Sequence, residues 1–323
     1  MEDWKNGWVN VWKRSNHKSI LPIFHPSNQV GGQRVKLVMF GEPYQERPGL
    51  IIDDLFILDI ERAELEAPHS IEEILGFDLL EQVEELTDMA EPEQALIPLG
   101  NARLGPPLSG VGKIVAVGLN YHDHAEEMRQ PLPDHPLLFS KASSSVAGPF
   151  DDLLLPPPAW SAQIDYEVEL GVVIGHPCHR VSVEDAPAYI AGYTIVNDVT
   201  ARDIQREEGH WFRAKSYDGF CPVGPYLVTA DEIDDPQSLA LSLRVNDELL
   251  QFSNTDRMIF SVAELVSFIS HGMTLQPGDL IATGTPAGIG GSRTPPVYLR
   301  PGDVVELEIE GLGKHRYTVK QGE

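Results

Sequence analysis

The chain has 323 residues, 42% of them hydrophobic, enough to bury a full core in one large or two smaller domains. Its formal net charge of −25 argues against nucleic acid and against an anionic membrane as partners. No apolar run approaches the length of a membrane span, and the two cysteines, Cys178 and Cys221, give neither a disulfide framework nor a metal-ligand spacing.

The acidic start, Met1-Glu2-Asp3-Trp4-Lys5, reads as neither a secretory signal nor an organellar presequence. A cytoplasmic protein is expected, with the mitochondrion as the alternative. Residues 1–34 read as a partly ordered N-terminal extension. Within it Trp4, Trp8 and Trp12 share one face of a potential helix, suited to pack on the body or on a second subunit. Residues 35–107 read as a small α/β module. Val35–Phe40 is a strand, Leu50–Leu58 is hairpin-like, and Ser70 with Glu73 forms a capping box for a helix. The acidic residues of Glu61–Glu93 are expected on solvated helices and loops. Pro106-Pro107 reads as the linker to a main domain, residues 108–323.

His124 and Glu127 stand at helical spacing i, i+3, so their side chains can touch. They read as a His–Glu dyad that activates water, or as part of a solvated helix, since His122–Glu127 is polar almost throughout. His122 is a competing base. Ile164–Ile174 reads as one buried strand closed by Gly175. Alternation puts Glu167 and Glu169 on one face and Val168, Leu170 and Val172 on the other. Two carboxylates on an apolar strand need a neutralising cation or a shared proton, unless the strand is a solvated edge. Oxygen ligands suit Mg²⁺, Mn²⁺ or Ca²⁺ better than zinc. Gly192–Asp198 reads as a second apolar strand ending in an acid, with a short helical turn after it. Asp198 is the third candidate ligand; Asp165 and Asp203 are alternatives.

Arg202 and Gln205 share one side of that turn and can bind a carboxylate and a polar tail. Arg202 pairing with Asp203 or Glu208 at the surface is the plainer alternative. Lys215 follows a partly apolar stretch and can bring an ammonium to the site, or can snorkel at the surface. Lys141 is a similar, weaker case. Leu239–Val245 alternates into an Asn246-Asp247 turn. Ser261–Ile269 is a helix with Glu264 three residues after its Ser. Asp279–Thr283 and Asp303–Ile309 are strands. Thr285 lies in the Gly-rich turn Gly284–Gly290, a loop type that offers backbone N–H groups to anions but lacks a phosphate-loop ending. Strands dominate, giving a mixed, β-rich α+β fold of rolled sheets.

Several of these pieces together resemble the fumarylacetoacetate hydrolase family. They are Val115–Tyr121 with His124 and Glu127, Phe139-Ser140-Lys141, Tyr166–Leu170, Asn197–Asp203, Ala214-Lys215-Ser216, Gly284-Thr285-Pro286 and Gly302-Asp303. The likeness runs in order from about Lys113 to Val319. It is nearest to the branch of acylpyruvases, diketo-acid sugar hydrolases and the fumarylacetoacetate hydrolase domain-containing 2 proteins. It implies a β-roll catalytic domain, usually in a homodimer. It implies that Glu167, Glu169 and Asp198 bind Mg²⁺ or Mn²⁺, with Ca²⁺ as a crystallographic stand-in. It implies that His124 and Glu127 form the catalytic dyad on a lid, assisted by Lys215. Arg202, Gln205, Lys141 and Thr285 are then substrate-binding, and Leu132–His135, Trp160 and Gln205–Phe212 select the substrate.

The activity so implied is hydrolysis of a C–C bond in an acylpyruvate-like 2,4-dioxo acid through a metal-bound enolate. Oxaloacetate decarboxylation or keto–enol tautomerisation at the same site is the alternative. The partner is a small 2-oxo or diketo acid. An anionic substrate must meet local positive charge despite the global −25, supplied by Arg202, Lys215, Lys141 and the metal.

Overall fold

The computed structural model describes residues 35–63, 67–86 and 95–322. The Trp4, Trp8 and Trp12 stripe lies outside the described residues. The strands begin with β1 (Lys36–Phe40), β2 (Arg47–Ile52), β3 (Phe56–Asp59), β4 (Leu96–Pro98), β5 (Ile114–Gly118) and β6 (Leu137–Lys141). They continue with β7 (Val146–Ala147), β8 (Leu153–Leu155), β9 (Ile164–Asp165), β10 (Val168–Ile174), β11 (Ile190–Asn197) and β12 (Thr200–Ala201). Then come β13 (Cys221–Thr229), β14 (Ala240–Val245), β15 (Glu248–Asn254), β16 (Leu280–Ala282), β17 (Val304–Ile309) and β18 (Gly313–Gln321). The helices that matter for the site are α1 (His122–Met128), α2 (Arg202–Glu208), α3 (Trp211–Ala214) and α4 (Val262–Gly272).

The larger sheet runs β4-β3-β2-β1-β13-β11-β10-β16-β5-β6, with β7 beside β13. A second sheet runs β15-β14-β17-β18-β8. Most pairs are antiparallel; β16 with β5, β13 with β7 and β18 with β8 are parallel. Because β1 pairs with β13, residues 35–107 extend the same sheet that carries the later strands. The expected division at Pro106-Pro107 coincides with no break in that sheet.

Both faces of β10 are covered. Val168, Leu170, Val172 and Ile174 enter a core shared with Leu241 and Leu243 of β14, Val305 and Leu307 of β17, and Leu265 and Ile269 of α4. Val173 joins a second core with Leu37, Leu50, Ile71 and Ile74. Each such fully buried aliphatic contributes about 1.5–3 kcal/mol. Helix α4 opens with the full capping box, Ser261 and Glu264 bonded reciprocally. At the other expected box, Ser70 accepts from Glu73 N–H, while Glu73 takes the N–H of His69. The β14–β15 hairpin turns at Asn246 and Asp247, both with φ in the left-handed region (51° and 66°).

One expected element differs. Ile164–Ile174 is not a single strand but β9 and β10, interrupted at Tyr166 and Glu167. Side chains displace the ladder here. Tyr166 N–H donates to Asp165 at 2.9 Å, Glu167 N–H to Asn197 Oδ1 at 2.9 Å, and Val168 N–H to Gln251 Oε1 at 3.0 Å. The break leaves the Glu167 and Glu169 carboxylates close together, as alternation along one strand would have done.

Candidate active site and metal centre

Glu167 precedes β10, Glu169 lies in it, and Asp198 follows the end of its neighbour β11. Asp198 N–H donates to Glu167 C=O at 2.9 Å, continuing the β10–β11 pairing to the acids themselves. One carboxylate oxygen from each of Glu167, Glu169 and Asp198 lies within 4.8 Å of the others. All three are buried, which overturns the solvated-edge alternative.

Cations are packed among them. Lys215 Nζ donates to Glu167 at 2.7 Å and to Asp198. Lys141 Nζ donates to Asp198 at 2.6 Å. Arg202 donates from Nε to Asp165 at 2.8 Å, from Nη2 to Glu167 at 2.5 Å, and from Nη1 to Gln205 at 3.1 Å. Lys141, Arg202 and Lys215 are therefore neither snorkelling nor surface-paired. Each is engaged by at least one carboxylate, so much of their charge is balanced within the cluster. Asp165, Glu167, Glu169 and Asp198 outnumber these three cations by one.

The ionisation follows. Burial pushes the Glu167 carboxyl up, but Lys215 and Arg202 outweigh it and hold it well below the usual range. Glu169 is pushed well above its usual range, first by burial and then by Asp198 and Glu167. Its nearest hydrogen bond is from Gly284 N–H at 2.9 Å, and among the described residues it pairs with no cation. Burial pulls the Lys215 ammonium down, and Asp198 with Glu167 more than restores it. A buried, uncompensated carboxylate beside two others fits a hard divalent cation, whose oxygen ligands lie at about 2.0–2.6 Å.

Asp165 and Asp203 are not in this cluster. Asp165 accepts from Arg202 Nε and from the N–H groups of Tyr166, Gly290 and Gly291, so it anchors a loop. Asp203 accepts from Ser161 Oγ and Ala162 N–H.

The Gly284–Gly290 loop does offer N–H groups to anions, but the anions are the protein's own. Gly284 binds Glu169, Gly288 binds Glu127 at 3.0 Å, and Gly290 binds Asp165 at 2.8 Å. Gly284 has φ +98°, a region most side chains avoid, and a Cβ at Gly290 would sit 1.8 Å from Val297 O. Thr285 donates its hydroxyl to Val168 C=O at 2.9 Å and accepts from Gln251 Nε2 at 2.8 Å.

Helix α1 is not a solvated surface. His124 and Ala125 are buried, Asp123 accepts from Ser253 Oγ at 2.6 Å, and His124 Nδ1 lies 3.1 Å from Glu127 Oε2. Burial raises the Glu127 carboxyl, but hydrogen bonds from His124, Ser292 and Gly288 bring it below its usual range. With Glu127 ionised, Nδ1 carries the proton and Nε2 is the basic nitrogen. His122 is exposed, and His124 is the histidine that meets Glu127.

One cavity of about 380 Å³ joins these groups. Glu167, Glu169, Asp198, His124, Arg202, Gln205, Lys215 and Thr285 line it, with an apolar wall that includes Val117, Leu119, Leu137, Phe139 and Trp211. Phe139 and Trp211 meet edge to face at 5.1 Å. Lys141 is not a lining residue; it acts through Asp198. Of the expected selectivity segments, Gln205–Phe212 contributes to the lining, whereas Leu132–His135 and Trp160 do not. Sequence reasoning missed the apolar wall, Gln251 and the bond between Asn197 and Tyr317. The wall was visible only as ordinary strand residues, and Gln251 carries no signal in one dimension.

Residues 113–320 match the family described as fumarylacetoacetate (FAA) hydrolase C-terminal. The chain is 45% identical over 291 residues to 2,4-didehydro-3-deoxy-L-rhamnonate hydrolase of Sphingomonas sp. (strain SKA58), covering 89% of this chain and 96% of that one. It is 40% identical over 289 residues to the mitochondrial oxaloacetate tautomerase Fahd2a of Rattus norvegicus, covering 87% and 90%. Its fold matches maleylpyruvate hydrolase from Sphingobium sp. SYK-6, solved with manganese(II) and pyruvate, with a TM-score of 0.74, 32% identity, and coverage of 89% and 100%. The β-rich α+β fold, the acidic triad and these relatives agree: the chain belongs to the fumarylacetoacetate hydrolase family of enzymes.

Proposed function

We propose that the protein hydrolyses a C–C bond in an acylpyruvate-like 2,4-dioxo acid, with Mg²⁺ or Mn²⁺ held by Glu167, Glu169 and Asp198. The observation that carries this reading is the His124–Glu127 contact, whose histidine lines the same cavity as the three acids while Glu127 stands behind it. A bound divalent cation would supply Lewis-acid stabilisation of negative charge on the 2-oxo acid.

His124 Nε2 takes a proton from water while Glu127 steadies the ring's positive charge. The water oxygen bonds to the distal carbonyl carbon. The C–C bond then breaks, and its electron pair stays with the pyruvate-like fragment as an enolate. The other fragment leaves as a carboxylic acid, and the proton on His124 returns to the enolate carbon. Lys215 uses two of its three N–H donors to position Glu167 and Asp198, and its charge favours the developing anion. Arg202 keeps N–H groups beyond those bound by Asp165, Glu167 and Gln205, so it can still face a substrate carboxylate. The names of the Sphingomonas and Sphingobium relatives, both hydrolases, support the reading.

A second reading is favoured by the relative named oxaloacetate tautomerase. The same His124 would there move a proton between carbon and enol oxygen, with no water attacking. Oxaloacetate decarboxylation would use the same three acids. The deciding experiment incubates the Mg²⁺-loaded enzyme with an acylpyruvate in ¹⁸O-labelled water. Pyruvate plus an acid carrying one labelled oxygen is the expected result. Turnover of oxaloacetate alone would move the assignment to the second reading. Homodimeric assembly and a cytoplasmic location are proposed on the family likeness and the sequence alone.

A further inference from the structure

Helix α2 presents Arg202, Gln205 and Arg206 at i, i+3 and i+4, and all three line the cavity. Two are engaged with each other and with the acids, as described. Arg206 differs. Its side-chain partner is Gln163 Oε1, a neutral acceptor, and among the described residues it forms no ion pair.

The acids near Arg206 are committed or turned away. Asp203 is held by Ser161 and Ala162, Glu208 pairs with Arg213, and Glu207 is at i+1, on another face of the helix. In a chain with 49 acidic and 24 basic residues, an exposed guanidinium without a carboxylate on the wall of this cavity stands out. The same cavity also has apolar lining, including Met128, Leu137 and Trp211. Arg206 is one helical turn, about 5–6 Å between Cβ atoms, from Arg202, the residue that binds Glu167.

We propose that Arg206 is a specificity-determining residue that selects 2-oxo acids whose far end carries a second carboxylate. The inference rests on the reading of the cavity as a 2-oxo acid site. The 2-oxo end lies at Glu167, Glu169 and Asp198, the carbon chain passes Leu137 and Trp211, and the terminal carboxylate replaces Gln163 on the guanidinium. A planar fork of N–H donors matches a carboxylate better than a single amide oxygen does. The positive charge at the mouth also opposes the global negative field that an approaching dianion meets.

The test uses 2-oxoadipate and 2-oxohexanoate, six-carbon acids that differ only in the terminal carboxylate. Their binding to the Mn²⁺-loaded protein is measured by calorimetry for wild type, Arg206→Gln and Arg206→Glu. Wild type should bind the diacid about tenfold more tightly, the effect of one charge-assisted hydrogen bond at an open site. The ratio should fall to near one in Arg206→Gln and below one in Arg206→Glu. Equal affinities in wild type, or a preference that survives Arg206→Gln, would overturn the inference while 2-oxohexanoate binding upholds the 2-oxo acid reading. Failure of both acids to bind wild type would overturn both.

Discussion

Glu127 reaches His124 Nδ1 with one oxygen, at 3.1 Å, and with the other accepts the Gly288 N–H at 3.0 Å. The carboxylate is thereby fixed from two directions, and it fixes the imidazole in turn. A pair built this way acts as one unit. We predict that His124→Ala and Glu127→Ala each lower C–C hydrolysis on the order of a hundredfold or more. The double variant should lose little beyond either single one. Oxaloacetate decarboxylation should survive in all three, since it needs no activated water. Steady-state kinetics of both reactions decides; equal collapse of decarboxylation would assign the pair to proton transfer on the substrate instead.

Glu169 is the acid of the triad without a cation partner among the described residues. Replacing it relieves repulsion in the metal-free protein and removes a ligand from the loaded one. Glu169→Gln should therefore be at least as stable as wild type without metal. Added Mn²⁺ should raise the Tm of wild type but not of the variant. A Mn²⁺-dependent shift retained by Glu169→Gln, or full activity after verified removal of all metal, would contradict the assignment.

Neither cysteine should take part in catalysis. Both are fully buried. Burial pushes the Cys221 thiol up to about 12, and it raises Cys178 against an opposing hydrogen bond with Ser270. His176, His179 and Arg180 flank Cys178 in sequence, a setting that can lower a thiol pKa, but burial decides the direction. Iodoacetamide should leave the native enzyme unlabelled and active. Inactivation that substrate prevents would show the opposite.

His315 should make the fold acid-sensitive. Its Nε2 bonds Gly224 C=O at 2.7 Å, and its buried Nδ1 has no partner among the described residues. Burial lowers its pKa to about 4, although the bond to Gly224 opposes the shift. A depressed histidine pKa means that the unfolded chain binds the proton more readily. The stability from the neutral ring is present above the ordinary value of about 6.5 and is lost as pH falls from there toward 4. The full loss is about 3 kcal/mol. Urea midpoints of wild type and His315→Gln should diverge in their pH dependence across that window. Parallel curves would show that other groups set the acid limit.

Much of the site was legible because its motifs carry their own geometry. Glu167 and Glu169 are two residues apart, and any extended backbone puts them on one side. His124 and Glu127 are three apart on a helix, and they touch. What could not be read was the second partner of each group. The break at Tyr166 depends on Asn197 and Gln251, which are 30 and 83 residues distant from the N–H groups they bind. Nothing local to Arg202 shows that Asp165 and Glu167 fold back onto it. The apolar wall is built by residues of β5, β6 and α3, whose side chains meet only when the sheet closes. For residues 35–107, periodicity marked the strands but not the sheet they would join.

The Gly-rich loop holds Glu169, Glu127 and Asp165 by backbone N–H groups, and so ties a metal ligand, the histidine's partner and the anchor of Arg202 to one short piece of chain. Met128, Leu137, Trp211 and Arg206 line the same cavity from outside that loop. Chemistry and choice of substrate are thus carried by separable parts. A new preference can be engineered, or arise by drift, through exposed positions of the mouth while the reacting groups keep their places. Any change in the loop itself disturbs all three acids together.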